Sequence, residues 1–221
     1  MKKQEDVYAD ALYDSISADM KELTIETIEA SLKSALDSGI IDSIPFIGIL
    51  GKGKSIITNI SNYLITKNVL SFLYCIKDVP LSKRVKFMEK ISKNKKVSNN
   101  FSMLLLGILS KIDEEYKSGL IGYIFRKMIY EQIDEILGVR LIQAISKLSY
   151  IDLNLIKGDS EDKIINNQIL MDSINGSGII TMLKDPGMSF ALEIEPVKSR
   201  LNDIGKELIK SINEFDMEYF I

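Results

Sequence analysis

The segment of this chain with the clearest chemical potential is Gly48–Ser55, whose letters GILGKGKS fit the phosphate-loop pattern G-x-x-x-x-G-K-[ST]. In such a loop, backbone amides near Gly48 and Gly53 would cradle the phosphates of a nucleotide. Lys54 would reach the β- and γ-phosphates, and Ser55 would bind Mg²⁺ at the start of a helix. The pattern therefore raises the hypothesis of a P-loop nucleotide-binding protein.

The surroundings of this segment favour a different interpretation. A phosphate loop follows a buried parallel strand, but the residues before Gly48 include Pro45, which cannot donate to a central strand ladder. No apolar run ends in an aspartate placed to bind the metal, and strands do not alternate with helices as a doubly wound sheet requires. We therefore expect a Gly/Pro-broken apolar hinge near residues 40–55 that enters a helix, with no bound cofactor.

The residue types elsewhere exclude several kinds of catalytic and metal site. The chain contains no His and one Cys, which rules out imidazole catalysis, histidine zinc sites and an internal disulfide. Cys75 lies in an apolar stretch with no histidine to activate it, so we predict a small core residue. The acidic triplet 113–115 predicts a helix start rather than a metal site. Ser118, Gly119 and Gly122 predict a closely packed helix seam. We expect no catalytic residue.

Charge is distributed unevenly along the chain, whose formal net charge is −3. Residues 1–43 carry four basic and ten acidic groups, residues 44–138 carry fifteen and eight, and residues 139–221 carry nine and thirteen. The stretch 43–77 contains no acidic residue. A run of cations that includes one acid, Glu89, follows it: Lys83, Arg84, Lys86, Lys90, Lys93, Lys95 and Lys96. We predict that these seven residues form a contact for an anionic surface.

Three interpretations of this basic region are open. The apolar side chains of 43–77 could enter the head-group boundary of a membrane while the lysines contact anionic lipid. The same apolar residues could instead form the core, with the lysines solvated outside. Contact between the basic middle and the acidic ends of the chain is the third interpretation. No uninterrupted apolar run reaches the roughly 18 residues of a membrane-spanning helix, so any membrane contact is expected to be peripheral.

Apolar periodicity predicts a mainly α fold with a helical domain over residues 1–138. Leu12, Ile16, Met20 and Leu23 recur at helical spacing, in one amphipathic helix or a pair that ends by Gly39. Helical spacing resumes from Ser55, continues into the basic segment, and recurs over 101–112 and 120–136. These segments form the predicted N-terminal body.

The last third predicts a small winged-helix-like module over residues 139–221. Helices are expected over 139–156 and 161–175, and a final amphipathic helix carries Leu201, Ile204 and Leu208 on one face. Between them, residues 178–183 and 188–194 are expected to pair as one β-hairpin, joined by the turn sequence Lys-Asp-Pro-Gly. Helix, helix, hairpin and helix is the outline of a winged helix.

Two stretches carry a family resemblance. One runs from Leu36 through the Ile-Pro-x-x-Gly segment to Gly48 and leads into 67–72; the other covers 112–121, with 148–155 further on. Together they resemble uncharacterised bacterial helical proteins, partly phage- or defence-associated, that are similar in outline to the abortive-infection alpha type. The resemblance implies a winged-helix-like tail and no catalytic residues. It also implies that the Ile-Pro-x-x-Gly segment does not need a following Gly-Lys-Ser.

These observations predict a non-enzymatic bacterial regulator or interaction protein, with an antiviral defence role implied by the resemblance and conditional contact with a membrane surface. A cytoplasmic location is expected because the N-terminus turns acidic where a secretory signal has its apolar core. A protein partner is expected as well. The alternatives are a DNA-binding regulator that uses the C-terminal module and a nucleotide-binding protein that uses Gly48–Ser55. Nucleic acid is the weaker partner because the helix before the hairpin, 161–175, is acidic.

Overall fold

The fold is mainly α-helical, as the helical periodicity of the sequence predicted, with one small two-stranded sheet. The predicted mainly α class is therefore confirmed. The structure is a computed structural model that describes residues 4–21, 23–33, 44–52, 60–93, 101–183 and 198–215. The chain divides into two compact units, the first reaching Ile142 and the second beginning at Gln143. The division lies within one helix, a few residues after the predicted domain boundary at 138.

Helices make up the regular structure described in the first unit. Their bounds are α1 (Gln4–Ile16), α2 (Ile25–Lys33), α3 (Pro45–Lys52), α4 (Ile60–Ile76), α5 (Leu81–Lys93), α6 (Phe101–Leu109), α7 (Glu115–Ile129) and α8 (Glu135–Lys147), the last of which continues into the second unit. The acidic triplet 113–115 meets the start of α7, as predicted, with Glu115 in its first turn.

A cluster of aromatic rings forms the centre of the first unit. The Phe125 ring of α7 lies 5.3 Å from that of Phe72 on α4, 5.2 Å from that of Phe87 on α5 and 5.7 Å from that of Phe101 on α6, measured between centroids. All four side chains are buried. Edge-to-face and offset-stacked rings at these separations add to the stabilisation from apolar burial. The cluster therefore fixes α5 against the core through Phe87.

The seam between α4 and α7 depends on small residues, as the sequence predicted. A Cβ atom placed on Gly122 would lie 2.7 Å from both the Phe72 carbonyl oxygen and the Cys75 Cβ. The Cys75 thiol donates a hydrogen bond to the Gly119 carbonyl oxygen, 3.1 Å away. The two helix backbones approach so closely that a side chain at position 122 has no room.

The described part of the predicted hinge is helical, which corrects the expectation of a break near residues 40–55. Pro45 occupies the first position of α3, where its missing N–H costs no helical hydrogen bond. Phe46 and Ile47 are buried, and the Phe46 N–H donates to the Ser15 hydroxyl of α1 at 2.9 Å. Packing on α1 therefore outweighs the low helix propensity of the glycines in this segment.

The second unit combines short helices with the small sheet. In chain order its described elements are α9 (Tyr150–Ile156), α10 (Glu161–Asn166), α11 (Gln168–Ile174), a 3₁₀ turn (Asn175–Ser177), β1 (Ile180–Leu183), β2 (Lys198–Leu201) and α12 (Asp203–Glu214). The two strands are antiparallel, with Ile180 opposite Leu201 and Leu183 opposite Lys198.

Helix caps explain why two predicted long helices are each divided. The predicted helix 139–156 is interrupted at Ser149, whose hydroxyl accepts from the Asp152 N–H while the Asp152 carboxylate accepts from the Ser149 N–H. The predicted helix 161–175 is interrupted at Asn167, whose side chain accepts from the Leu170 N–H. Both residues satisfy backbone donors at a new helix start, which favours ending the preceding helix.

The strand that pairs with β1 is not the one the sequence predicted. The expected partner, 188–194, lies outside the described residues, and the strand that pairs with β1 in the structure is Lys198–Leu201. The sequence prediction placed Leu201 in the final helix. The helix instead begins at Asp203, because the Asn202 side chain accepts from the Gly205 N–H and caps it.

Candidate anion-binding surface

Helix α5 presents most of the predicted cations to solvent. Its apolar residues Phe87, Met88 and Ile91 are buried in the first unit. Four lysines of the helix are exposed, and we call them the lysine face: Lys83, Lys86, Lys90 and Lys93. Lys95 and Lys96 lie outside the described residues. Five of the seven predicted residues therefore lie on one helix, and four of the five are exposed.

Arg84 must be removed from the predicted surface. Only 2% of its area is exposed. Its Nε donates to the Val79 carbonyl at 3.0 Å, and its Nη1 donates to the carbonyls of Ile16 and, at 2.8 Å, of Ala18. Burial lowers the pKa of this guanidinium. Ile16 ends α1, so Arg84 caps the carbonyl end of that helix and cannot contact a membrane or another partner.

The described apolar residues of 43–77 are mostly buried, whereas a membrane contact requires them at the surface. In the described part of this stretch, large apolar side chains fill the core: Ile44, Phe46, Ile47, Val69, Leu70, Phe72, Leu73 and Ile76. Tyr63 and Leu64 are partly exposed, at 38% and 37%. For the buried residues the structure agrees with the interpretation in which they form the core. The lysine face is exposed, as that interpretation expects of the lysines.

Two carboxylates bind one end of the lysine face. The Lys90 ammonium lies 2.8 Å from a Glu135 carboxylate oxygen and 3.6 Å from one of Glu131. The hydrogen bond that the Lys90 ammonium donates to the Glu135 carboxylate raises the pKa of Lys90 and lowers the pKa of Glu135. Lys86 has no acidic partner within the described residues, and the Lys83 ammonium lies over the Tyr130 ring, 4.4 Å from its centroid.

A pocket of about 200 Å³ lies between the lysine face and the end of α7. It is lined by Lys83, Lys86, Phe87, Lys90, Ile129, Tyr130 and Glu131. We call it the α5 pocket. Three lysines thus line a small concavity whose lining also includes an aromatic ring and apolar side chains.

The end of α7 fixes one side of the α5 pocket. The Glu131 N–H donates to the Met128 carbonyl at 3.0 Å, and the Gln132 N–H donates to the Lys127 carbonyl at 2.9 Å. This is a Schellman motif, whose left-handed position is usually glycine but here is Glu131, with φ of 55°. Tyr130 and Glu131 were not predicted as site residues because no glycine marks this helix end, and the predicted helix continued to 136.

The residues of the phosphate-loop hypothesis are only partly described. Gly48 lies within α3, the helix that begins at Pro45, and Gly53, Lys54 and Ser55 lie outside the described residues. The segment from Pro45 to Gly48 is therefore helical where a phosphate loop needs a strand and a turn. The nucleotide site stays a sequence hypothesis without a described phosphate cradle.

The remaining chemical candidates are structural in their described contacts. The Cys75 thiol faces the α4–α7 seam, and burial raises its pKa. Within the described residues, no group of three or more acidic or cysteine side chains could hold a metal ion. No described helix combines the length and the apolar character needed to cross a membrane.

Comparisons with protein-family models, with curated proteins and with solved structures found no match. The lysine face and the α5 pocket are therefore the features of this chain that indicate a function.

Proposed function

We propose that this protein is a non-enzymatic bacterial regulator or interaction protein that contacts an anionic membrane surface reversibly through the lysine face of α5. The observation that carries the proposal is the exposure of Lys83, Lys86, Lys90 and Lys93 on a helix whose apolar side is occupied by the core. The surface is cytoplasmic in this proposal, at the inner face of the membrane. The resemblance to defence-associated proteins supports an antiviral role.

The expected strength of this contact follows from the charges. A lysine close to an anionic bilayer contributes about 1 kcal/mol, and Lys83, Lys86 and Lys93 have no carboxylate partner within the described residues. Together they supply about 3 kcal/mol, or roughly a hundredfold in partitioning. Because the apolar side chains of α5 stay in the core, the contact is electrostatic and weakens as salt shortens the Debye length.

The second unit favours a protein partner over DNA. Its α10 carries Glu161 and Asp162, and the Lys163 ammonium of that helix is paired with the Asp159 carboxylate at 3.3 Å. DNA binding depends on cations that are free to neutralise phosphates. Ile151 and Ile169 are 69% and 81% exposed, so both side chains are accessible to a protein partner. The order α11, β1, β2 and α12 is that of a winged-helix-like module, and we propose that it binds protein.

Liposome flotation with the full chain tests the membrane contact. We expect binding to vesicles that contain phosphatidylglycerol at low salt, no binding to phosphatidylcholine vesicles, and release at high salt. Replacing Lys83, Lys86 and Lys93 by Gln should reduce the partition coefficient roughly a hundredfold.

The matched control replaces Lys147, Lys157 and Lys206, three exposed lysines outside α5, by Gln. The two triple variants have the same net charge, so only a site-specific contact separates them. Equal binding by the two variants, or no binding of the wild-type chain to anionic vesicles, would contradict the proposal.

A further inference from the structure

The α5 pocket has a cationic wall with regular spacing. Lys83, Lys86 and Lys90 are separated by three and four residues, which places them on one side of the helix. Ile129, Tyr130 and Glu131 line the pocket as well. The three lysines therefore line one concave site, which an extended flat membrane contact does not require.

The volume of the α5 pocket limits the size of its ligand. At about 200 Å³, it is smaller than the roughly 300–1,000 Å³ of pockets that enclose drug-sized molecules. It corresponds to about seven water molecules at roughly 30 Å³ each. A single small anionic group fits this space, and the remainder of a larger ligand would lie outside the pocket.

The charge of the pocket selects among small anions. The lining residues of the site carry three cations, Lys83, Lys86 and Lys90, and one carboxylate, Glu131, a net charge of +2. A phosphate monoester carries a charge of about −1.5 to −2 at neutral pH, with three acceptor oxygens. Carboxylates and phosphate diesters carry a single charge, so a monoester matches the site better.

Several contacts hold the pocket in place before a ligand arrives. The Tyr130 ring holds the Lys83 ammonium at 4.4 Å, and Glu131 and Glu135 hold that of Lys90. Glu131 adopts a left-handed conformation, with φ of 55°, that costs energy for a residue with a side chain. Lys86 remains without an acidic partner in the described part of the chain. Preorganised cations lower the entropy cost of binding an anion.

We propose that the α5 pocket is a binding site for a phosphate monoester group. This inference rests on the proposed function, because three residues of the lysine face line the pocket. It adds the class of anion that the lysine face binds, a phosphate monoester. The group could belong to a lipid head group, as in phosphatidate, or to a small soluble phosphate. In either case Lys86 and Lys83 bind the phosphate oxygens, and the Tyr130 hydroxyl is a further donor.

The soluble arm of the test titrates methyl phosphate, a monoester, and dimethyl phosphate, a diester, into the ¹⁵N-labelled full chain. We expect saturable amide shifts confined to α5 and the end of α7 with methyl phosphate and none with dimethyl phosphate. Lys86→Gln should weaken methyl phosphate binding about fivefold. Lys93→Gln removes the same charge from the same helix but does not line the pocket, so it should leave the affinity unchanged.

The lipid arm compares vesicles with phosphatidate and vesicles with phosphatidylglycerol, matched for surface charge. Preference for phosphatidate that is lost in Lys86→Gln and kept in Lys93→Gln supports the proposal with a lipid source. Saturable methyl phosphate binding without that preference supports it with a soluble source.

The two proposals fail in different ways. Absence of saturable methyl phosphate binding, together with equal partitioning to the two vesicle types, overturns the pocket while the anionic surface contact stands. Saturable methyl phosphate binding without any anionic vesicle binding overturns the membrane contact while the pocket stands.

Discussion

Replacing Arg84 by Met removes a buried cation and so measures how much that cation contributes to the stability of the fold. Met retains much of the side-chain volume and has a helix propensity close to that of Arg, so α5 itself should be little affected. The substitution leaves the carbonyl oxygens of Val79, Ile16 and Ala18 without their guanidinium donor. The two latter carbonyls lie at the end of α1, where the helix provides no donor of its own.

The magnitude follows from these three hydrogen bonds. A hydrogen bond from a charged donor contributes about 1.5–3 kcal/mol, and a buried acceptor left unpaired costs about 1–3 kcal/mol. Part of this loss is offset, because the variant no longer buries a charge whose pKa is lowered by desolvation. We therefore expect a loss of about 3 kcal/mol in the free energy of unfolding, a large fraction of the roughly 5–15 kcal/mol typical of a domain.

Urea unfolding followed by circular dichroism at pH 7 measures this effect. The control is Lys86→Met, which makes the same kind of change at an exposed position on the same helix and should stay within about 0.5 kcal/mol of the wild type. Arg84→Lys should recover part of the loss, since an ammonium retains the charge but lacks the guanidinium's fork of donors.

Two results would refute the reasoning. If Arg84→Met unfolds at the same urea concentration as the wild type, the three carbonyls do not depend on the guanidinium. If Lys86→Met is equally destabilising, the loss comes from α5 as a whole and not from the buried cation.

Three further outcomes can be measured by the same unfolding assay. Gly122→Ala should destabilise the protein by about 2 kcal/mol because the new Cβ meets the α4 backbone. Gly107→Ala, whose Cβ meets nothing within 4 Å, should be neutral or stabilise the protein by up to about 1 kcal/mol. Equal effects of the two substitutions would contradict the close packing of the seam. Glu131→Gly should stabilise by about 1 kcal/mol by relieving the left-handed conformation, and a loss would contradict the Schellman assignment. Glu135→Gln should reduce stability at pH 7. Because the pKa of Glu135 is lowered in the folded state, the stabilisation from its ionised carboxylate is present above about pH 4.5 and is lost as the pH falls through the folded pKa. A difference in stability between variant and wild type that persists at pH 2 would count against the pair with Lys90.

The sequence predicted features that depend on local periodicity and small residues. The spacing of apolar residues predicts the helical class, and Gly119 and Gly122 predict the seam because close backbone approach requires small side chains. The interruption at Ser149 was missed, although Ser and Asp three residues apart form a capping pattern that indicates a helix start. These signals act over a few residues and are visible without tertiary structure.

The sequence could not predict which cations of the basic run are buried and which are exposed. Arg84 and Lys86 belong to the same basic run, yet one is buried and the other exposed. The carbonyls that bind Arg84 in α1 and just after it are 68 and 66 residues away in the chain, at Ile16 and Ala18. Likewise, α3 forms because Phe46 packs on α1, and no local signal outweighs its glycines. The α5 pocket depends on the same kind of long-range contact.

Cys75, at the α4–α7 seam, can report the separation of these two helices. This single cysteine of the chain lies opposite Gly122, and the raised pKa of the thiol keeps it protonated and poorly nucleophilic while the helices are together. Cys75 is partly exposed, and separation of α4 from α7 hydrates it further and returns the thiol pKa towards its ordinary value. An increase in the rate at which a thiol reagent modifies the unaltered protein therefore reports separation of these two helices, on a timescale that equilibrium unfolding does not resolve.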